Sequence, residues 1–307
     1  MGLALLAYAA DIFVEGAAAI AARLRVSAVV IGAVVIGIGT SVPELLVTGI
    51  AAAQGEREMG VGNIVGSNIA NLTLVLGGAA LVASLRVDSR LLRREVPLSA
   101  AAVGLFAAAT IGGLTRYEGM ILIVGLVAAL TVIVRATTRG RGDALSDDVE
   151  DYLEAEQPAR STNAIVLVTI LGFVGTVGGA QLLVWGASDV GRELGWSDAF
   201  IGLTVVAVGT SLPELVTALA AARRGDDELI IGNVLGSNLF NSLAVGGMLA
   251  LVSPGRIDDM QLAVGGVLLM VAATVFATVL MARRNRVTRA EAVILVAAYA
   301  VTMPLLA

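Results

Sequence analysis

The sequence predicts an all-α membrane protein of ten transmembrane helices, arranged as two inverted five-helix repeats. Three observations lead there. Of 307 residues, 57% are hydrophobic, in long runs almost free of charge, a composition that fits a polytopic helical membrane protein and excludes a soluble one. Residues 37–78 (GIGTSVPELLVTGIAAAQGEREMGVGNIVGSNIANLTLVLGG) return as residues 207–248 (AVGTSLPELVTALAAARRGDDELIIGNVLGSNLFNSLAVGGM), offset by 170 without a gap. The arginines fall on alternate loops.

Apolar segments of spanning length run over 1–22, 27–53, 60–84, 97–114, 119–135, 164–188, 199–222, 229–252, 260–281 and 290–306. The first has no basic front end and continues through Asp11 and Glu15, so it reads as a span and not as a cleavable signal. The third and eighth are the least uniform, interrupted by Asn63, Ser67, Asn68 and Asn71 and by their counterparts. The fourth and ninth are bland. The 36 glycines fit helices packed backbone to backbone, with Gly62-x-x-x-Gly66 and Gly232-x-x-x-Gly236 as packing surfaces.

With the first residue outside, the inside loops carry Arg23 and Arg25; Arg86, Arg90, Arg93 and Arg94; Arg135, Arg139, Arg141 and Arg160; Arg223 and Arg224; and Arg283, Arg284, Arg286 and Arg289. Arg57, Arg116, Arg192 and Arg256 fall outside. Sixteen against four sets the orientation and places both termini outside the cell membrane. One missed or invented helix would scramble this alternation. The organisation is thus a first repeat over 1–135, an acidic cytoplasmic linker over 136–162 and a second repeat over 163–307. The linker reads as a solvated tether without EF-hand spacing, in which a short amphipathic helix can form around Leu145 to Ala155. An odd number of spans per half turns the second repeat upside down, and two such halves exchange conformations about a central site, which is alternating access.

The copies share Gly39/Gly209, Thr40/Thr210, Ser41/Ser211, Pro43/Pro213, Glu44/Glu214, Gly62/Gly232, Asn63/Asn233, Ser67/Ser237, Asn68/Asn238 and Asn71/Asn241. Polar residues match best, so the repeat preserves chemistry. Pro43 and Pro213 strip the Gly39 and Gly209 carbonyls of their helical partner, and such broken backbone is tolerated at membrane depth only when buried in protein or lining a cavity. Asn63, Ser67 and Asn71 recur every four residues as one polar stripe. The chain has no Cys, His or Lys, which leaves oxygen as the main kind of ion ligand, and the doubled set reads as an oxygen cage for a hard cation. Asn63 and Asn233 serve equally as ligands or as helix-to-helix bonds; Asn68 and Asn238 lie off the stripe and read as braces. Asp11 and Glu15, matched by Gln181 and Trp185, read as vestibule or interhelix groups.

A carboxylate at a helix centre costs roughly 2.5–3.5 kcal/mol on insertion scales. Two of them about 4 Å apart repel by about 4 kcal/mol at an effective dielectric of 20. No arginine lies within the apolar core to neutralise Glu44 and Glu214. A divalent cation, several monovalent ones or protons must do so.

GTSVPE with GNIVGSNIAN, repeated as GTSLPE with GNVLGSNLFN, resembles the two alpha-repeats of the calcium/cation antiporter superfamily, nearest its prokaryotic sodium/calcium exchanger branch. The resemblance spans nearly the whole chain. It implies Glu44 and Glu214 as central calcium ligands, and carbonyls from Thr40 and Thr210. Ser41, Ser211, Ser67, Ser237, Asn71 and Asn241 would complete sodium or calcium coordination. It further implies that the first and sixth spans slide against the rest. Some exchangers carry Asp where this chain has Asn241, which removes a third acid and bears on sodium stoichiometry and potassium dependence. The implied activity is exchange of Na⁺ for Ca²⁺, with H⁺ as a competitor. No cofactor, nucleic acid or obligate protein partner is expected beside the ions and the bilayer. A Ca²⁺/H⁺ exchanger of the same fold is the nearest alternative. A cation channel shares the cage but needs no counter-ion. An intramembrane hydrolase would lack the His, Cys or HExxH motif its chemistry needs.

Overall fold

The structure, a computed structural model, describes residues 2–23, 41–139, 161–225 and 227–303. It is built from helices: α1 (Gly2–Arg23), α2 (Val42–Ala53), α3 (Arg57–Val82), the short α4 (Ser89–Arg93), α5 (Glu95–Thr110), α6 (Arg116–Arg139) and α7 (Thr162–Glu193). α8 then runs as Asp198–Ile201, a π turn Gly202–Val206 and Ala207–Thr210. α9 (Leu212–Arg224), α10 (Asp227–Val252), α11 (Gln261–Arg284) and α12 (Arg289–Thr302) complete the order. Among the described residues, α3, α6, α7, the α8–α9 run, α10 and α11 are each long and apolar enough to cross a membrane. The only strands among them are β1 (Leu85–Arg86) and β2 (Arg286–Val287), paired antiparallel with Leu85 opposite Val287.

Helix ends shift by a few residues from the sequence reading. α6 continues past residue 135 to Arg139, and α7 extends past residue 188 to Glu193. Most of the proposed linker, with its acidic run and the 145–155 helix, lies outside the described residues, as does the 27–40 part of the second span with Thr40 and Gly39.

Loops read as outside meet at one end of the molecule. Leu114 and Gly255 exchange main-chain hydrogen bonds of 2.9 and 2.7 Å. Arg57 donates to the carbonyls of Ser253, Pro254 and Arg256 at 2.7–3.0 Å. Glu58 accepts the N–H groups of Asp258 and Asp259, and Arg192 pairs with Glu56 at 2.6 Å. Loops read as inside meet at the other end: the β1–β2 pair, the Arg86 N–H on Asp227 at 3.0 Å and Arg289 on the Val82 carbonyl at 2.7 Å.

The most polar apolar helices sit deepest. In the most apolar stretch of α3 and of α10, 83% of residues are buried, against 17% in α6 and 28% in α7. The outward side chains of α7, Leu167, Ile170, Leu171 and Val174 among them, are exposed, as a lipid-facing helix requires. Glycine sets the closest crossings. A Cβ on Gly66 would meet the Leu203 carbonyl oxygen and Ala207, and one on Gly62 the Ala199 carbonyl, so α3 lies directly against α8. α1 packs chiefly along α7, where a Cβ on Gly172 or Gly179 would stand 2.7 or 2.6 Å from the backbone nitrogen of Phe13 or Leu6. A Cβ on Gly232 or Gly236 would meet nothing within 4 Å among the described residues. The stretch at their matching offset, 29–37, is not described.

Candidate functional site

Two helices start at matching places. Ser41 (φ −92°, ψ 8°) stands at the N-cap of α2 and Ser211 (φ −84°, ψ 4°) at that of α9, each followed two residues on by Pro. Proline at the second helical position lacks an N–H that the first turn leaves unpaired anyway, so it starts a helix where it would break one in progress. Glu44 and Glu214 therefore occupy the first turn of their helices, where the partial positive charge of the N-terminus favours a carboxylate.

Ser-x-x-Glu is the pattern of a capping box, yet neither serine caps its helix. The Ser211 hydroxyl instead donates to Glu44 Oε1 at 3.4 Å, across the two halves. Ser41 Oγ and Glu44 Oε2 are buried and meet no partner among the described residues. Glu44, Glu214, Ser41, Thr210, Ser67, Ser237, Asn71 and Asn241 are all buried, with Ser211 nearly so. The Glu44 carboxylate thus touches the cap of the helix that carries Glu214 three residues later.

α3 and α10 line the same region. Thr210 Oγ1 donates to Asn63 Oδ1 at 3.2 Å and lies 3.4 Å from Ser67 Oγ. Asn63 Nδ2 in turn donates to Thr48 Oγ1 at 2.9 Å. Asn71 Nδ2 donates to Asn238 Oδ1 at 3.1 Å, leaving Asn71 Oδ1 without a partner among the described residues. Both amide atoms of Asn241 are in the same condition. Immediately after the polar stripes the helices widen into π turns, Asn71–Val75 and Asn241–Val245. Such bulges cluster at functional sites.

An uncharged buried amide or hydroxyl without a hydrogen bond costs about 1–3 kcal/mol, and a buried carboxylate more. Buried oxygens of this kind, carried by the same helices as the two carboxylates, are the ligand type that a hard cation takes. Among the described residues, no three acidic side chains are placed so as to hold a metal ion together.

Of the predicted residues, the structure joins Glu44 to Ser211 and Ser67 to Thr210 by contact. It buries Ser41, Glu214, Ser237, Asn71 and Asn241 in the same helices. Thr40 lies outside the described residues, and so do the side chains of Asp11 and Glu15. Asn68 and Asn238 are braces, as expected: Asn68 donates to Ser242 and Asn238 to the Asn68 carbonyl. Sequence reasoning missed Thr48 and Ser242. Their matches at the 170-residue offset are Ala218 and Leu72, so the repeat that exposed the other positions carries no signal for these.

Comparison with known proteins places these features. The profile of the family described as "Sodium/calcium exchanger protein" matches residues 1–135 and 164–306. The chain is 37% identical to the uncharacterized membrane protein MJ0091 of Methanocaldococcus jannaschii, over 82% of this chain and 79% of that one. It is 30% identical to the sodium/calcium exchanger MaX1 of Methanosarcina acetivorans, over 85% and 84% of the two chains. A solved structure of the sodium-calcium exchanger NCX_Mj, 31% identical, aligns over 99% of this chain and 95% of that chain with a TM-score of 0.69. Matched along both halves by sequence and nearly end to end by structure, this multi-pass membrane protein belongs to the sodium/calcium exchanger protein family, within the prokaryotic branch of the calcium/cation antiporter superfamily.

Proposed function

We propose that the chain is a secondary active antiporter that exchanges Na⁺ for Ca²⁺ across the cell membrane by alternating access, through one cage centred on Glu44 and Glu214. The observation that carries the reading is the Ser211–Glu44 bond, which ties the first acid to the cap of the helix bearing the second. Around it, Ser41, Ser211, Ser67, Ser237, Asn71 and Asn241 supply side-chain oxygens, and Thr40 and Thr210 supply main-chain carbonyls. Two carboxylates are neutralised by one Ca²⁺ or by two or more Na⁺, but not by both sets at once. That competition is the coupling, and repulsion between the bare acids disfavours crossing with an empty cage.

The architecture proposed around the cage is ten spans in two inverted repeats, 1–135 and 163–307, joined by the cytoplasmic segment 136–162, with both termini outside. The sorting of loops to two ends supports it, as do the helix starts at Ser41 and Ser211 and the π turns at Asn71 and Asn241, each pair separated by 170 positions. α1 and α7, packed chiefly on each other, form the pair that slides past the cage to open it to either side.

The test is Ca²⁺ uptake into proteoliposomes. Vesicles loaded with Na⁺ should accumulate radiolabelled Ca²⁺, and Glu44→Gln or Glu214→Gln should abolish the uptake. Normal exchange in either variant refutes the assignment. The same carboxylates accept protons, which favours Ca²⁺/H⁺ exchange as the second reading. Uptake driven by an imposed pH gradient with no Na⁺ present would establish that one instead.

A further inference from the structure

Asn238 is oriented by a group that can only accept. Its Nδ2 donates to the main-chain carbonyl of Asn68 at 3.2 Å, and a carbonyl has no proton to return. The Asn238 Oδ1 must then face Asn71, whose Nδ2 donates to it at 3.1 Å. Flipping either amide would set oxygen against oxygen or NH₂ against NH₂. Asn71 is therefore compelled to turn its Oδ1 away from Asn238, and that oxygen, on a side chain with no exposed surface, meets no partner among the described residues.

The matching position in the other repeat is built differently. Asn241 corresponds to Asn71 and Asn68 to Asn238, but the Asn68 amide donates to Ser242 Oγ at 3.3 Å and lies 3.6 Å from Met270 Sδ. Ser242 stands where the first repeat has Leu72. Neither amide atom of Asn241 is engaged among the described residues, so the asparagine pair is asymmetric although the sequence repeats it.

We propose that Asn238 is a positioning residue that holds Asn71 as an obligatory oxygen donor to the transported cation, a role that no second asparagine plays for Asn241. The inference rests on the reading of Asn71 as a cation ligand. Asn238 does not itself touch the ion; it denies Asn71 the orientation that would aim an NH₂ group at a positive charge.

The experiment measures the Ca²⁺ concentration giving half-maximal Na⁺-driven uptake in reconstituted full-length protein. Asn238→Leu, similar in volume but without polar atoms, should raise that concentration about tenfold, the size of one net hydrogen bond, with the maximal rate little changed. Asn238→Asp should keep it within about threefold of the unaltered protein, because a protonated aspartic acid donates to the Asn68 carbonyl and still accepts from Asn71. Asn71→Ala should raise it too, and Asn238→Leu added to Asn71→Ala should raise it no further. Additive effects of the two substitutions, or an unchanged half-saturation in Asn238→Leu, would overturn the proposal while leaving Asn71 a ligand. An unchanged half-saturation in Asn71→Ala would overturn the ligand reading and this inference with it. Asn238→Ala gives the same discrimination should the leucine variant fail to reach vesicles.

Discussion

Ser41 and Ser211 stand at helix N-caps and cap nothing, and this refusal of a local hydrogen bond typifies the single residues of the site. Asn71, Asn241 and Glu44 likewise keep oxygens that no neighbour among the described residues takes up. The packing residues follow the opposite rule and leave no room. A Cβ on Gly66 collides with the Leu203 carbonyl and lies 2.6 Å from the Ala207 Cβ, whereas one on Gly104 meets nothing within 4 Å. Alanine gains up to about 1 kcal/mol over glycine inside a helix, against about 1–3 kcal/mol for overpacking. Gly104→Ala should accordingly raise the melting temperature in detergent and Gly66→Ala should lower it. The ten candidate ligands were legible in the sequence because each appears twice at a fixed offset. Thr48 and Ser242 were not, because Ala218 and Leu72 stand opposite them and a residue present once inside an apolar stretch looks like any other small side chain.

Among the elements, the break between α8 and α9 was legible from Pro213, whose missing N–H needs no alignment to interpret. Pro213→Ala restores that donor and lets α8 run on into α9, re-engaging the Gly209 carbonyl. The expected result is equal or greater thermal stability together with slower exchange, a trade common where a strained site is relaxed. Stability and transport falling together would contradict it. The π turns at Asn71–Val75, Gly202–Val206 and Asn241–Val245 were not legible, since one additional residue in a turn leaves no mark on composition or periodicity. The run of α6 to Arg139 was missed for a related reason: the polar residues that end a hydrophobic stretch need not end the helix.

Across the whole molecule, arginine placement foretold which loops would meet. The loops carrying Arg57, Arg192 and Arg256 gather at one end, and those carrying Arg86, Arg286 and Arg289 at the other. What joins them was invisible, because the partners lie between 136 and 207 residues apart. Arg57 reaches three carbonyls around Gly255, whose φ of 152° is open to glycine and where a Cβ would stand 2.7 Å from the guanidinium. Hydrogen bonds from a charged donor contribute about 1.5–3 kcal/mol. Arg57→Ala should therefore destabilise the fold by about 2 kcal/mol in a denaturant titration, and Arg57→Lys should recover little of it, because an ammonium cannot fork across three acceptors. Full recovery by lysine would mean that charge alone holds the clasp.

The central claim is that one pair of carboxylates serves both ions in turn. It is tested most directly by equilibrium binding of radiolabelled Ca²⁺ to the purified protein as Na⁺ is raised. Na⁺ should displace Ca²⁺ completely, excess Ca²⁺ should reverse the displacement, and neither Glu44→Gln nor Glu214→Gln should bind Ca²⁺ tightly. Calcium that stays bound at saturating Na⁺, or that binds undiminished in either variant, would contradict it.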